Sequence, residues 1–239
     1  MHRFFADAEG ILGDTVYLEA SDALHAVKVL RLKAGALITV ISHQQLYSCR
    51  ITDISAKSVR AEVLCLLPQT EPRVKVTLFQ ALPKADKMEL IIQKATELGV
   101  HRVIPVIMER CVIKTEGRDI SARQERWQKI AREASKQSGR SHVPEIAPIA
   151  PIKQCAIPQH DLLLAPWEEA RTPSLRHVAG QYPHTTTIGL LIGPEGGITD
   201  EEMRWLPFLP VTLGPRILRA ETASLCALSA IFALYGDLE

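Results

Sequence analysis

Two glycine-bearing loops contain the residues of this sequence that are best suited to hold a ligand. The first loop reads Ile192-Gly193-Pro194-Glu195-Gly196-Gly197-Ile198, and the second reads Leu213-Gly214-Pro215-Arg216-Ile217-Leu218-Arg219-Ala220-Glu221-Thr222-Ala223. Each follows an apolar segment with a strand pattern, and glycine lets a backbone approach a ligand closely. Neither has the G-x-G-x-x-G pattern or the G-K-S/T ending that cradles phosphate. If the loops bind a nucleotide-like molecule, we expect backbone hydrogen bonds and apolar packing to hold it. Each loop alone is also consistent with a tight turn needed for folding.

The charged residues are distributed unevenly along the chain. The formal net charge is +1, but residues 73–150 contain 15 Lys and Arg against 9 Asp and Glu. Residues 1–72 contain 7 against 8, and residues 151–239 contain 6 against 10. A localised basic region of this kind can attract a polyanion such as a nucleic acid. The solvated face of a helix explains the same distribution, so charge alone leaves both interpretations open.

Composition and cysteine spacing exclude several classes of protein. A chain of 239 residues predicts one large domain or two modest ones, and 46% apolar with 23% charged residues is typical of a globular protein. No apolar run approaches the roughly 20 residues that span a bilayer, and Arg3, Asp7 and Glu9 interrupt any N-terminal signal sequence. The cysteines form no C-x-x-C pair and the histidines no H-x-x-x-H pair. We therefore expect a cytoplasmic protein with reduced thiols, no membrane association and no metal.

The elements that position the two loops fall into two parts, of which the first is a small β-rich domain over residues 1–70. Ser21 is expected to cap a short helix that carries Leu24, Val27 and Leu30. Short apolar stretches separated by turn-like residues indicate a meander of strands. The predicted strands are 36–41, 46–51 and 58–64.

After a proline-bearing linker at 68–72, strand and helix patterns alternate over residues 73–239. This alternation implies the α/β class, with a mainly parallel sheet covered on both faces. The predicted strands are 74–82, 103–108, 161–165, 187–192 and 210–213.

Capping signals place the helices of this second part. Asp86, with Glu89 three residues later, is expected to begin a helix that Gly99 ends. Its predicted buried face is Met88, Ile91, Ile92, Ala95 and Leu98.

Two further capping boxes and one apolar segment predict the remaining helices. Ser121 with Gln124 begins a helix that runs to about Ser138, and Thr199 with Glu202 begins a short one. A last helix at 223–235 is apolar almost all round, so it must be buried in the core or against another subunit.

The order and spacing of the two loops, with several further motifs, resemble the RsmE-type 16S ribosomal RNA uridine N3-methyltransferases of the SPOUT superfamily. The further motifs are His2-Arg3-Phe4-Phe5, His25 with Val29-Leu30-Arg31-Leu32, Lys84-Ala85-Asp86-Lys87-Met88-Glu89, Gln93-Lys94-Ala95-Thr96-Glu97-Leu98-Gly99, and Glu133-Ala134-Ser135-Lys136-Gln137-Ser138-Gly139-Arg140. The resemblance covers essentially the whole chain. The turn Ser42-His43-Gln44-Gln45 departs from it, because the family usually has glycine or aspartate there.

The resemblance implies an α/β fold in which a small β-rich PUA-like RNA-binding domain, residues 1–70, precedes a SPOUT methyltransferase domain, residues 73–239. The second domain would have a mainly parallel sheet and a deep trefoil knot. The implied cofactor is S-adenosylmethionine, which has no phosphate, and the implied assembly is an obligate homodimer. The implied reaction is methylation of N3 of one uridine in the decoding region of 16S rRNA, which we expect on the assembled small ribosomal subunit.

The resemblance also assigns site residues by matching motif positions. The assigned cofactor pocket is Leu164, Ile192, Gly193, Pro194, Glu195, Gly197, Leu213, Gly214, Ile217, Leu218, Arg219, Thr222 and Ala223. The expected RNA contacts are Arg3, Arg31, Lys84, Lys87 and Arg140, ahead of the basic face of the helix that follows Ser121.

Two residues of the second loop are predicted to be catalytic. Arg219 presents several fixed donors to the negative charge that develops on the uracil ring. Glu221 is the expected acceptor of the N3 proton, directly or through a water, with Glu195 as its rival. The alternative for Glu221 is a carboxylate that faces a helix dipole.

Two other functions remain open on sequence alone. The same fold can modify a different RNA nucleotide, for instance in transfer RNA. A non-catalytic RNA-binding module is the second alternative, although such a module has no need of the second loop.

Overall fold

The computed structural model describes residues 1–84, 87–112 and 120–238, with side chains for all of these except Asp7 and Ala8. These residues form two compact units, each with its own apolar core. The first unit comprises Met1–Glu71 and Ser135–His142, and the second comprises Pro72–Ala134 and Val143–Glu239.

The first unit is a closed barrel of five strands in the order β1-β2-β5-β4-β3. Its elements are β1 (Arg3–Leu12), β2 (Thr15–Leu18), α1 (Ala20–Lys28), β3 (Leu37–Ser42), β4 (Gln45–Ile54) and β5 (Val59–Leu66). The three predicted strands are confirmed as β3, β4 and β5. The sequence prediction missed β1 and β2. Charged residues mask the apolar alternation of β1, and the barrel closes through a parallel pairing of β1 with β3 that is remote in sequence.

The inner face of α1 differs from the predicted one. The N-cap position is Glu19, and Ser21 lies inside the helix, so the predicted Ser21 cap is wrong. The buried residues are Asp22, Ala23 and Ala26, whereas Leu24 is 43% exposed. Asp22 can be buried because its carboxylate accepts a hydrogen bond from the Phe5 N–H at 2.9 Å and pairs with Lys136 Nζ at 2.7 Å.

A carboxylate also organises the segment Ser135–His142 within the first unit. Glu71 accepts hydrogen bonds from the Arg140 guanidinium at 2.6 and 3.0 Å, and from the backbone N–H groups of Ser141 and His142 at 2.9 and 3.0 Å. Burial raises the pKa of Glu71, but these bonds and the Arg140 charge outweigh burial, so its pKa lies below the ordinary value. Glu71 is therefore the ionised anchor of this segment.

The second unit contains a parallel sheet in the order β12-β10-β11-β6-β7-β8, with β9 paired to β7. Every described strand pair in it is parallel, which confirms the predicted α/β class. The strands are β6 (Lys75–Ala81), β7 (Arg102–Ile107), β8 (Glu145–Ile146), β9 (Ala150–Pro151), β10 (Leu162–Pro166), β11 (Thr187–Ile192) and β12 (Leu209–Val211). All five predicted strands of this part are present, and the two-residue strands β8 and β9 are additional.

The helices of the second part are α2 (Lys87–Leu98), α3 (Ile120–Ser138), α4 (Leu175–Gln181), α5 (Asp200–Trp205) and α6 (Ala220–Leu234). The predicted Asp86 cap of α2 lies outside the described residues. Four of the five predicted inner residues of α2 are buried, but Thr96 is buried in place of Leu98. Gly99 ends α2 at φ +113°, where a Cβ would overlap the Pro72 ring, so no other residue fits there without displacement.

The start of α3 also differs from its prediction. Ser121 lies inside the helix, after Ile120, so it is not the N-cap. The side-chain amide of Gln124 donates to the carbonyl of Ile146 at 2.8 Å. Gly139 follows the predicted end at Ser138 with φ +83°, as the helix-stop pattern requires.

Helix α5 follows the first glycine loop, and α6 follows β12 and the Gly214 turn. The capping box of α5 is confirmed, and Glu202 also accepts the N–H of Glu109 at 2.9 Å. Helix α6 begins at Ala220, three residues before the prediction. Its inner face is buried, but Cys226 and Leu234 are exposed, so the described part of the chain covers only one side of α6.

No helix among the described residues combines the length and the apolar composition that crossing a membrane requires.

Candidate active site

A cavity of about 930 Å³ opens in the second unit beside the carboxyl ends of three neighbouring strands. The loops that follow β10, β11 and β12 line it, and these ends meet at one edge because the strands are parallel. Its volume is in the range of sites that enclose a whole small ligand. The edge of the sheet thus brings the two glycine loops together around one space.

Eleven of the thirteen predicted pocket residues line this cavity: Ile192, Gly193, Pro194, Glu195, Gly197, Leu213, Gly214, Ile217, Leu218, Arg219 and Ala223. Leu164 does not, because it lies in the middle of β10 with its side chain 2% exposed in the core. Thr222 does not either, because it is exposed on α6 away from the lining. These two residues thus lie outside the cavity that the other eleven share, and their contact with a cofactor stays a prediction.

The sequence prediction missed the loop after β10. Trp167, Glu168 and Arg171 from this loop line the cavity, with Pro166 and Ala170. The strand at 161–165 had been predicted, and its carboxyl end must lie at the same edge as those of its parallel neighbours. That rule is the signal by which this loop could have been found.

Close contacts hold the first glycine loop in place. Arg110 Nη1 donates to the Gly196 carbonyl at 2.8 Å, and Trp167 Nε1 donates to the Ile198 carbonyl at 3.0 Å. Gly197 has φ +77°, and a Cβ there would overlap the Glu168 carboxylate. The glycine is needed for both reasons, and its position keeps Glu168 against the loop at the cavity wall.

The second glycine loop contributes most of its residues to the cavity lining. Gly214 has φ +109°, and its N–H is bonded to Thr212 Oγ1 at 3.1 Å. Among the described residues, no acceptor within the chain is recorded for the N–H groups of Ile217, Leu218 and Arg219. Arg219 occupies the N-cap position of α6 without a side-chain cap bond, and its side chain is exposed at the cavity. Its guanidinium is thus available to a ligand.

A lysine bridges two carboxylates beside the cavity. Lys87 Nζ lies 3.2 Å from Glu195 Oε1 and 3.2 Å from Glu221 Oε2. The backbone N–H of Lys84 donates to the same Glu195 oxygen at 3.0 Å. The Glu221 contact is an ion pair without hydrogen-bond geometry, and this buried oxygen accepts no hydrogen bond from the described residues. We call these three side chains, Lys87, Glu195 and Glu221, the carboxylate–lysine cluster.

The cluster keeps all three groups charged. The close Glu221 carboxylate, followed by that of Glu195, raises the pKa of Lys87. Burial raises the pKa of both glutamates, but bonds from their own backbones and the nearby Lys87 lower it more, so each pKa lies below its ordinary value. The charge of Arg219 contributes to the lowering at Glu221. Both glutamates are therefore carboxylates at neutral pH.

The residues predicted to contact RNA occupy different environments. Arg140 is 4% exposed, with its guanidinium bonded to Glu71, so the structure gives it a structural role in the first unit and does not support RNA contact. Arg3 is exposed, but its guanidinium donates to the carbonyls of Lys136 and Gln137. Arg31 and Lys84 have exposed side chains, whereas Lys87 belongs to the carboxylate–lysine cluster.

The lining matches the chemistry of S-adenosylmethionine. Ile192, Leu213 and Ala223 offer an apolar surface for an adenine ring, and the backbone donors of the second loop can bond its nitrogens. The carboxylate of Glu168 at the wall suits a cationic ligand. In the part of the chain that the structure describes, no group of His, Cys, Asp and Glu side chains is suited to hold a metal ion.

Two family models match the chain in agreement with the two parts of the fold. An RNA methyltransferase domain matches residues 70–232, and an RNA methyltransferase PUA domain matches residues 18–64. The first match spans most of the second part of the chain, and the second lies within the first part.

Known proteins resemble the chain over nearly its whole length. The ribosomal RNA small subunit methyltransferase E of Bacillus subtilis is 34% identical over 228 residues, covering 91% of this chain and 89% of that protein. The protein of the same name from Synechocystis is 34% identical and covers 98% of this chain and 78% of its own. The crystal structure of the ribosomal RNA small subunit methyltransferase E from Neisseria gonorrhoeae, bound to S-adenosyl methionine, superposes with a TM-score of 0.86 at 32% identity and 98% coverage of both chains. With the two glycine loops gathered around a cofactor-sized cavity, these matches establish that the chain belongs to the ribosomal RNA small subunit methyltransferase E family.

Proposed function

We propose that this protein transfers the methyl group of S-adenosylmethionine to N3 of one uridine in the decoding region of 16S rRNA. The observation that carries the proposal is the cavity that both glycine loops line, with the exposed Arg219 guanidinium at its wall. The domain division is part of the proposal: residues 1–70 act as a PUA-like RNA-binding domain, and residues 73–239 act as the methyltransferase domain. A trefoil knot in the second domain remains a prediction from the resemblance.

The chain's own residues must assist removal of the proton from N3 of the uridine and stabilise the charge that this leaves. The bound cofactor supplies an electrophilic methyl group on a sulfonium, and N3 of uridine becomes a good nucleophile only as its proton leaves. Arg219 stabilises the negative charge that spreads over N3, O2 and O4 through its fixed N–H donors. Glu221 is ionised and lies two residues from Arg219 at the start of α6, so it can accept the N3 proton directly or through a water. The cavity walls hold the reacting atoms in line, which supplies much of the rate.

The assembled small ribosomal subunit should be a far better substrate than a short oligonucleotide that contains the same uridine. Acidic residues slightly outnumber basic ones in residues 1–72, so RNA must be fixed by a few contacts such as Arg31 and Arg3 together with the shape of the particle. Transfer of labelled methyl groups to subunits and to oligonucleotides measures this difference. Primer extension on rRNA from a deletion strain should show the loss of one stop at a uridine. Equal turnover on the short RNA would contradict the expected substrate.

The same assay separates the two alternative functions. Labelling of transfer RNA rather than the small subunit would indicate the same fold acting on a different nucleotide. Binding of rRNA without binding of S-adenosylmethionine would indicate a non-catalytic module. Because ribosomal subunits are the proposed substrate, we propose the cytoplasm as the site of action.

We further propose that the protein is a homodimer that buries the outer face of α6. Cys226 and Ala233 are exposed on this face, with Leu225 partly exposed at one edge of it and Leu234 exposed at the other, so a broad apolar strip faces outward. A two-fold interface would cover it with the same strip of a second copy. Light scattering should give the mass of two chains at micromolar concentration, and Leu234→Glu with Cys226→Glu should shift that mass toward one chain. A stable, fully active monomer would contradict the proposal.

A further inference from the structure

The carboxylate–lysine cluster joins three segments that lie far apart in the sequence. Lys87 stands at the start of α2, Glu195 in the first glycine loop, and Glu221 in the first turn of α6, directly after the second glycine loop. The Lys87–Glu195 contact spans 108 positions of the chain. A single ammonium group therefore connects the two loops that line the cavity.

The surroundings of Lys87 suit this connection better than contact with a phosphate. Its side chain is 28% exposed, and the partner side chains of Glu195 and Glu221 are 23% and 17% exposed. Two carboxylates already face its ammonium, so a phosphate would have to approach against two negative charges. The neighbouring Lys84 contributes only its backbone N–H to the described contacts of the cluster and keeps its side chain exposed.

Removal of the ammonium would change the loops directly. Both carboxylate oxygens lie within 3.2 Å of one nitrogen, so without it two partly buried negative charges would face each other. Like charges in such a site repel and draw in water or move apart. Because Glu195 and Glu221 are fixed to the two glycine loops, their separation would widen the cavity.

We propose that Lys87 is a positioning residue that holds the two glycine loops in their cofactor-binding arrangement by bridging Glu195 and Glu221. The proposal rests on the proposed function, because it takes the cavity to be the S-adenosylmethionine site. It replaces the predicted RNA contact at Lys87 with an action on the cofactor loops.

Calorimetric titration of the full-length protein with S-adenosylmethionine and with S-adenosylhomocysteine tests this role. Lys87→Met should lower the affinity for both ligands by about tenfold, which is the size of coupling expected between groups in contact. S-adenosylhomocysteine lacks the sulfonium charge, so a parallel loss for both ligands reports loop geometry rather than attraction between charges. Lys87→Arg, which keeps the cation, should stay within about threefold of the wild-type affinity. Lys94→Met is the matched control, because Lys94 lies on the same helix but pairs with Glu97.

A double-mutant comparison shows whether Lys87 acts through the carboxylates. In a Glu195→Gln/Glu221→Gln background no negative charges remain to repel each other, so Lys87→Met should then weaken binding by less than about threefold. If Lys87→Met does not fold, Lys87→Gln takes its place in every comparison.

Three outcomes would overturn the inference. If Lys87→Met binds both ligands with the affinity of the wild type but has a raised KM for RNA, Lys87 contacts RNA as the sequence predicts. An equal loss in the glutamine background would mean that Lys87 acts on something other than Glu195 and Glu221. Tighter binding of S-adenosylmethionine without a change for S-adenosylhomocysteine would indicate a charge effect, because the two carboxylates left behind attract the sulfonium. These titrations measure ligand binding and not methylation. A protein that binds the cofactor as expected but leaves rRNA unmethylated would therefore contradict the proposed function alone.

Discussion

Arg219→Ala should lower kcat for methylation of the small ribosomal subunit by about 10²- to 10³-fold, the effect of removing one donor that stabilises developing charge. The affinity for S-adenosylmethionine should stay within about threefold of wild type, because the backbone and apolar side chains of the loops hold the cofactor. The free energy of unfolding of Arg219→Ala should differ little from that of the wild type. Arg219 makes no side-chain cap bond, and alanine adopts its backbone angles of φ −66° and ψ 153° without strain.

Two further variants define what Arg219 contributes. Arg219→Lys keeps the charge but not the planar fork of donors, so it should recover only part of the lost rate. Arg204→Ala removes an exposed arginine in the last turn of α5, outside the cavity lining, and should leave kcat unchanged. Single-turnover kinetics with saturating small ribosomal subunits measure the methylation rates of all three variants. Normal methylation by Arg219→Ala under these conditions would refute the proposed mechanism.

Glu221→Gln should lower kcat by about 10²-fold or more near pH 7, and the rate should recover as the pH rises toward the pKa of the uridine imide. The glutamine cannot accept the N3 proton, so reaction must wait for the imide to ionise in solution. In the wild-type protein the pKa of Glu221 lies below its ordinary value, so the carboxylate is ionised across the neutral range. Wild-type kcat should therefore fall only when the pH drops through that lowered pKa. A pH–rate profile of kcat for both proteins provides the measurement.

Glu201→Gln is the matched control for this experiment. Glu201 is also a carboxylate in the first turn of a helix, α5. Neither Glu201 nor Glu221 belongs to the cavity lining, but Glu201 is exposed, whereas Glu221 pairs with Lys87 beside the cavity. A helix-dipole effect would act at both positions, whereas proton transfer belongs to Glu221 alone. A uniform loss at every pH in Glu221→Gln would assign Glu221 a structural role and leave Glu195 as the rival proton acceptor.

The sequence alone determined most of the strands, two helix ends and the two glycine loops, because these depend on local chemistry. Apolar runs bounded by turn residues located the strands of the parallel sheet, and β11 has the predicted bounds. Gly99 and Gly139 marked the ends of two helices because only glycine readily takes the positive φ found there. The two glycine loops were identified by the same reasoning. These features depend on residues close together in the chain, where periodicity and backbone preference operate. The thirteen pocket residues, of which eleven line the cavity, were assigned by the family resemblance instead.

The tertiary structure alone decided which charged side chains pair. The sequence places Arg140 and Lys87 among basic residues suited to RNA, but folding buries Arg140 against Glu71 and sets Lys87 between two carboxylates. Folding also orients α1 so that the Asp22 carboxylate faces inward, where it accepts hydrogen bonds from the Phe5 N–H and from Lys136 Nζ. Each of these pairings with Arg140, Lys87 and Lys136 joins residues more than sixty positions apart. Local pattern cannot predict them, because the energy of an ion pair depends on distance and burial, and both exist only after the chain has folded.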